Sequence, residues 1–227
     1  MKLRSWVVAV SAAVLSAAAL QAQTVTLDEG TFRVLVGGRE VGLETFSIRQ
    51  SGTGADAFVI VQGKVVLEAG SEYSADLQLA SGLRPIAYDV EVRGGDARRI
   101  NARVSGSRAS ARTVSAAGET MREYLVSEGA LLLDDGVAHH YFFLAQRLPA
   151  GGTTAIVIPR ESRQVQATVT VAGEESISAG GQTVRARKLV VTLAGGDVRH
   201  VWVDAQNRVL RVEVPAKNYT AVRTTLP

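Results

Sequence analysis

Apolar and polar residues alternate one by one in several stretches of the chain. The alternation is clearest in residues 73–79, 86–92 and 164–171. Their apolar sets are Tyr73, Ala75, Leu77 and Leu79, then Ile86, Tyr88, Val90 and Val92, then Val165, Ala167, Val169 and Val171. A period of two predicts β-strands with one buried and one solvated face, which is typical of antiparallel sheets.

Glycine pairs separate such runs at residues 37–38, 94–95, 180–181 and 195–196. Because glycine adopts positive φ without steric cost, these pairs predict hairpin turns. Residues 179–214 show the arrangement most completely, with strand-like runs at 182–193, 197–204 and 208–214. The turn spacing predicts a meander of roughly ten or more strands over 24–126 and 153–226, with a break at 161–163. Strand twist should curl so long a sheet into a barrel, a half-barrel or two packed sheets.

One segment departs from the period of two. Residues 134–147 carry apolar side chains at helical spacing, and Pro149 follows them. This pattern predicts an amphipathic helix with Asp134 or Asp135 as its N-cap, and with Phe143 pointing away from the sheet. The predicted fold class is therefore mainly β: a long antiparallel meander curled into a half-barrel or barrel with one short covering α-helix.

The N-terminus has the order of a secretory signal peptide. Lys2 and Arg4 precede an apolar or small-residue run over 6–20, and Ala22 supplies a small residue at the cleavage position. The run is shorter than the ~20 apolar residues of a spanning helix. We therefore expect a cleaved signal peptide, residues 1–22, and a soluble, exported, periplasmic protein with a single antiparallel β domain, residues 23–227. The mature chain should have no spanning segment.

Charge and composition narrow the function classes. The whole chain carries a net charge of +3, and loss of Lys2 and Arg4 would leave 23 basic and 22 acidic residues. Such an interspersed balance argues against nucleic acid as a partner. The basic residues of 98–112 and 185–188 alternate with apolar ones, which predicts a solvated outer face, although a lipid headgroup could use them. With no cysteine, stability must come from the core.

Candidate catalytic and metal-ligating residues are few. His139 and His140 lie near Asp134 and Asp135, but adjacent histidines on a helix point about 100° apart and cannot share one ion unaided. We interpret these residues as helix caps and exposed polar groups. There is no Gly-x-Ser-x-Gly elbow and no phosphate-binding glycine loop with the required lysine. We therefore expect no catalytic residue, metal or cofactor, and a hydrolase with a site assembled only in the fold remains an alternative.

Aromatic residues suggest a ligand site. Tyr141, Phe142 and Phe143 concentrate three of the ten Phe and Tyr residues, and Trp202 lies on a C-terminal strand, where we expect it to pack inward. One interpretation is plain core packing. The other is a helix above an apolar cavity in a curled sheet, with these four residues contacting the ligand. The low aromatic content, 5%, does not favour a transmembrane barrel.

Several short motifs resemble a family of uncharacterised bacterial envelope proteins. They are the opening hairpin 32–42 with its Val-Gly, the hairpin 181–186, the Trp-bearing strand 201–204, the terminal Leu226, and the 134–147 segment followed by Leu148-Pro149. The resemblance implies a lipoprotein-carrier-like (LolA/LolB-like) half-barrel with a helical cover and an apolar concavity. It implies no catalytic residues.

These observations predict a non-catalytic binder of an apolar or lipidic ligand, whose partner would be a lipid, an acyl chain or another envelope protein. A structural or interaction module of the cell envelope is the alternative from a different class. Burial of apolar ligand surface would supply the affinity in the first case.

Overall fold

The structure, a computed structural model, describes residues 24–126 and 129–227, and the predicted signal peptide lies outside them. Fifteen strands form one sheet in this part of the chain, in the spatial order β8-β7-β6-β5-β4-β3-β2-β1-β15-β14-β13-β12-β11-β10-β9. The strands are β1 (Val25–Val36), β2 (Arg39–Ser51), β3 (Phe58–Leu67), β4 (Glu72–Ala80), β5 (Arg84–Arg93), β6 (Arg98–Ser105), β7 (Arg108–Ser115), β8 (Gly118–Leu125), β9 (Leu131–Leu132), β10 (Gly152–Ile158), β11 (Arg163–Ala179), β12 (Gln182–Leu193), β13 (Val198–Val203), β14 (Val209–Val214) and β15 (Tyr219–Arg223).

Two meanders meet in the middle of the sheet. The first runs from β1 to β8, the second from β10 to β15, and the first strand pairs antiparallel with the last, from Phe32 opposite Arg223 to Val36 opposite Tyr219. Only β9 runs parallel to its neighbour, β10. The predicted antiparallel meander is confirmed. The alternation pattern does not predict that the two ends of the chain pair, since Asp28 and Arg223 at this junction are 195 residues apart.

Burial follows the predicted alternation in β4, where Tyr73, Ala75, Leu77 and Leu79 are all buried. The prediction was wrong at Ile86, which is exposed on the outer face. Gln78 pairs with Ala87 and Leu79 with Pro85, so a bulge at Ile86 shifts the face of the residues before it. Val171, which precedes a second register shift, is exposed as well.

The helical segment begins later than predicted. A 3₁₀ turn, Ala138–His140, leads into α1, Tyr141–Arg147, and no side chain caps either element. Asp134 and Asp135 are therefore not N-caps. All five residues from Tyr141 to Ala145 are buried, including Phe143, which we expected to point elsewhere. A helix that is apolar all round needs contacts on every side, and α1 has them inside the curled sheet.

The helix fills the concavity of the sheet. Its residues belong to one core cluster that also contains residues of both meanders, such as Ile48 and Leu77 from the first and Leu189 and Val201 from the second. The segment leading into α1 stacks His139 on Phe46 and sets His140 against the edge of the Tyr88 ring. The interior is therefore occupied by the protein's own chain.

Trp202 is buried, but not in this interior. It packs with Ile177, Ala179, Ala186 and Leu210 in a separate small core. Arg199, Val201 and Val203 alternate with Trp202 and share the main interior, so the Trp202 ring lies on the opposite, outer face. The expectation that Trp202 packs inward was wrong. The end of the long β11–β12 hairpin, where the Gly180 N–H donates to the Arg223 carbonyl, covers that outer face.

The sheet does not close through a strand ladder. β8 and β9 are its two edges, and side chains bridge the seam: an Arg122 Nη1–H donates to the Ser162 carbonyl, and the Gln164 amide to the Leu125 carbonyl. The shape is barrel-like with an open edge. Among the described residues no helix is long and apolar enough to cross a membrane.

Candidate functional site

Alternate turns of a meander gather at the same end of the sheet, which gives the barrel-like fold two distinct ends. The first carries the turns 52–57, 81–83 and 204–208 together with the last residues of α1; we call it the cavity end. The other carries the turns 37–38, 68–71 and 159–162 and the start of the helical segment; we call it the charged end.

The cavity end carries a half-open cavity of about 550 Å³. Most of its walls are apolar or backbone, and three glutamines, one serine and one arginine contribute the polar side chains. The lining residues are Leu27, Gln50, Gly54, Ala57, Val59, Ala80, Ser81, Gly82, Leu83, Phe142, Gln146, Gln206 and Arg208.

Two hydrogen-bonded contacts fix this cavity. The Gln146 amide donates to the Gln206 carbonyl over 2.7 Å, which ties the end of α1 to the β13–β14 turn. Arg208, the one charged lining residue, places its Nε 2.7 Å from an Asp204 carboxylate oxygen. Its charge is therefore already paired, and the cavity presents no unpaired charge of its own.

The four predicted ligand residues are dispersed. Phe142 lines the cavity, whereas Tyr141 and Phe143 are buried in the surrounding core and Trp202 lies in the small outer core. Whether any of them contacts a ligand stays a prediction. The turn residues that form the remaining walls lie in segments with no shared pattern, so only the fold brings them together.

Ionisable side chains fill the interior at the charged end. Glu44 is fully buried, and its carboxylate accepts three hydrogen bonds of 2.8 Å: from the N–H groups of Ala138 and His139 and from the His139 ring nitrogen Nδ1. Because a carboxylate only accepts, His139 carries its proton on Nδ1. Gly63 on β3 makes room for this ring, since a Cβ there would lie 2.2 Å from the His139 Cε1.

His140 has a different environment. The Asp134 N–H donates to its Nδ1 over 3.0 Å, so the ring is neutral with its proton on Nε2. Burial lowers the pKa of His140 well below its ordinary value, and electrostatic interactions with the neighbouring His139 and Arg160 act in the same direction. The Asp134 carboxylate in turn accepts from the Tyr88 hydroxyl (2.7 Å) and from the Arg160 Nε (2.9 Å).

A second buried ion pair, Asp135 with Arg199, lies next to the Asp134–Arg160 pair in the chain. Asp135 accepts a 2.6 Å hydrogen bond from Arg199 and another from Lys217. Arg199, which is fully buried, also donates to Asp197 over 2.9 Å. The four residues thus tie the segment before α1 to β13 and to the turn before β15.

These contacts correct the interpretation of the histidines and aspartates as exposed polar groups. His139 and His140 are 1% exposed and Asp134 is 0% exposed. A Glu44–His139 pair could orient a general base, but no group in solvent reaches either buried ring in this structure. No cluster of three metal-ligating side chains occurs among residues 24–126 and 129–227. The hydrogen bonds made by Glu44, Asp134 and Asp135 anchor the helical segment inside the sheet.

The fold and its two ends define the class: a barrel-like antiparallel β protein whose interior is filled by a helix of its own chain. A solved structure has a similar fold, the beta-barrel-like protein of a domain of unknown function, DUF1849, from Brucella abortus. The likeness covers 86% of this chain and 93% of that chain, with a TM-score of 0.53 and 8% sequence identity. At this identity the likeness shows the fold alone. No protein-family model and no curated protein matches the sequence.

Proposed function

We propose that this protein is a non-catalytic binding protein that holds an apolar chain, acyl or otherwise lipidic, in the cavity of about 550 Å³ at the cavity end. That cavity is the observation on which the proposal rests. Its volume falls within the ~300–1,000 Å³ of small-molecule sites. Leu27, Val59, Leu83 and Phe142 supply apolar walls, and burial of ligand surface there would contribute ~25 cal/mol per Å² before the cost of ordering.

The lining also favours a particular polar group on the ligand. Gln50, Gln146 and Gln206 offer uncharged donors and acceptors, and the Arg208 charge is paired with Asp204. An ester or amide oxygen would find partners here without displacing an ion pair. We therefore favour an esterified or amide-linked chain over a free fatty acid.

The N-terminal sequence supports an envelope setting for this ligand. A signal peptide over residues 1–22 would export the chain to the periplasm, where lipids and acylated envelope proteins are at hand. Secretion of the full-length chain and sequencing of the mature N-terminus test this part. Retention of residues 1–22 in the mature protein would contradict it.

The ligand proposal is tested by filling the cavity. Ala57 lines it, whereas Ala55 in the same turn is exposed and does not. We expect Ala57→Trp to weaken binding of a fluorescent apolar probe at least tenfold, because the indole occupies the space, and Ala55→Trp to bind as the natural protein does. The measurement is a probe titration with displacement by an acyl ester. Equal binding by both variants, or no saturable binding at all, would rule out this cavity.

A comparison of two neighbouring aromatic residues distinguishes a residue that lines the site from one that only packs in the core. Phe142 and Phe143 are 3% and 1% exposed, so truncation of either to alanine should cost ~3–5 kcal/mol of stability. Only Phe142 lines the cavity. We expect Phe142→Ala to change probe affinity and Phe143→Ala to leave it near the natural value, with both measured at a temperature where each variant is folded.

A further inference from the structure

Arg147, in the last turn of α1, is an arginine with an unusual environment. The other arginines of residues 24–126 and 129–227 that are not exposed each make a hydrogen bond or an ion pair, as Arg160 does with Asp134 and Arg223 with Asp28. Arg147 makes neither with any described residue, and its Nη1 is buried without a hydrogen-bond partner. Burial lowers its pKa, and no carboxylate among the described residues opposes that shift.

The guanidinium borders a small polar cavity. This space of about 250 Å³ lies between the Gly129 loop and the start of β10, and it is separate from the apolar cavity. Hydroxyl and amide groups line it together with Arg147. The lining residues are Gly129, Leu131, Arg147, Leu148, Thr153, Thr154, Ala155 and Gln166.

The cavity walls are held in place around the guanidinium. Gly129 has φ +92°, and a Cβ there would lie 2.6 Å from the Arg147 Nη2, so the glycine gives the side chain its room. The Thr154 hydroxyl donates its one proton to the Gly129 carbonyl over 3.1 Å, so Arg147, Thr153 and Gln166 are the lining side chains that could donate to an anion.

Helix geometry alone does not account for this arrangement. A cation near a helix C-terminus gains only a small stabilisation from the helix dipole, and α1 has only seven residues. A guanidinium stays charged in proteins, and partial removal from water without a counterion costs free energy. An anion on its fork of N–H groups would offset that cost, because carboxylate and phosphate oxygens match the fork geometry.

We propose that Arg147 and the polar cavity beside it form a binding site for a small oxyanion group, a carboxylate or a phosphate. The space admits several heavy atoms, since one water takes up ~30 Å³ of liquid. This site goes beyond the apolar ligand proposed above and does not depend on it.

The test titrates the protein with inorganic phosphate and, separately, with acetate at low ionic strength, with chloride as the reference salt. Calorimetry and the Nε–Hε NMR resonance of Arg147 report binding. We expect saturable binding of at least one oxyanion with a shift of that resonance, and a loss of about tenfold or more in Arg147→Gln, in line with loss of a charge-assisted hydrogen bond. Phosphate binding without acetate binding would identify a phosphate group, and the reverse a carboxylate.

Control variants make the result specific. Arg33→Gln removes one exposed charge from β1 and should leave binding unchanged. Should Arg147→Gln fail to fold, Arg147→Lys keeps the charge, removes the fork and should also weaken binding. Undiminished binding in Arg147→Gln, or no shift of the Arg147 resonance, overturns the proposal. Binding that occurs only after Glu128→Gln also overturns it, because the counterion would then be the chain's own carboxylate.

Discussion

Replacement of Glu44 by glutamine tests how the helical segment is held inside the sheet. The substitution keeps the shape of the side chain and removes its charge. The carboxylate accepts from three donors at 2.8 Å: two on Oε1, both from His139, and one on Oε2, from the Ala138 N–H. Glutamine has a single acceptor oxygen, so its NH₂ group must face at least one of these donors.

The expected cost follows from that mismatch. One hydrogen bond to a charged group is lost, worth ~1.5–3 kcal/mol, and a buried N–H is left unsatisfied at a further ~1–3 kcal/mol. Because Glu44 and His139 are both essentially unexposed, water cannot replace the missing partner. We therefore expect Glu44→Gln to lower the free energy of unfolding by ~2.5–6 kcal/mol.

Urea unfolding followed by circular dichroism and by Trp202 fluorescence measures the change. Glu40→Gln, an exposed change on the same strand, is the matched control and should stay within about 0.5 kcal/mol of the natural protein. A loss below about 1 kcal/mol in Glu44→Gln would refute the reasoning, since the carboxylate could not then be the anchor of the segment.

Three further outcomes are expected. The pKa of His140 is lowered in the folded state, so below pH 6.5 the unfolded chain binds more protons than the folded one, and stability should fall as the pH drops through that value. His140→Gln should reduce the slope of unfolding free energy against pH by up to ~1.4 kcal/mol per pH unit, as measured in urea melts at several pH values. Gly63→Ala should cost ~1–3 kcal/mol through overlap with the His139 ring, and a thermal melt that matches the natural protein would contradict the packing. Asp28→Asn should cost ~3–5 kcal/mol by leaving Arg223 buried without its counterion, and an unchanged urea midpoint would show that this pair does not secure the junction of β1 and β15.

The strands could be predicted from the sequence because their signals are local. Alternation with period two places Ala75 and Leu77 in the interior whatever lies around them, and the Gly195-Gly196 pair marks a turn through its own backbone freedom. Errors came where a bulge changes the count of residues between faces. Ile86 is such a position, because it is the extra residue between Ala87 and Pro85, which pair with consecutive residues of the neighbouring strand.

The helical segment shows why the site resisted prediction. Asp134 followed by apolar residues at helical spacing has the pattern of an N-cap and a half-exposed helix. Its side chain instead binds Tyr88 and Arg160, 46 and 26 residues away, and Glu44 binds backbone 94 residues away. A local sequence pattern reflects only residues within a few helical turns of each other, so it does not identify hydrogen-bond partners at such separations.

The sequence by itself thus determined most strand faces, the turns and the curled antiparallel class, because each depends on residues close together in the chain. Only the tertiary structure decided what occupies the interior. Alternation defines a buried face without saying what covers it, and here Tyr141 to Ala145 do so, which leaves the free space to the cavity end. Burial then turned polar residues such as His140 into interior anchors, since hydrogen-bond partners from distant strands offset the loss of water.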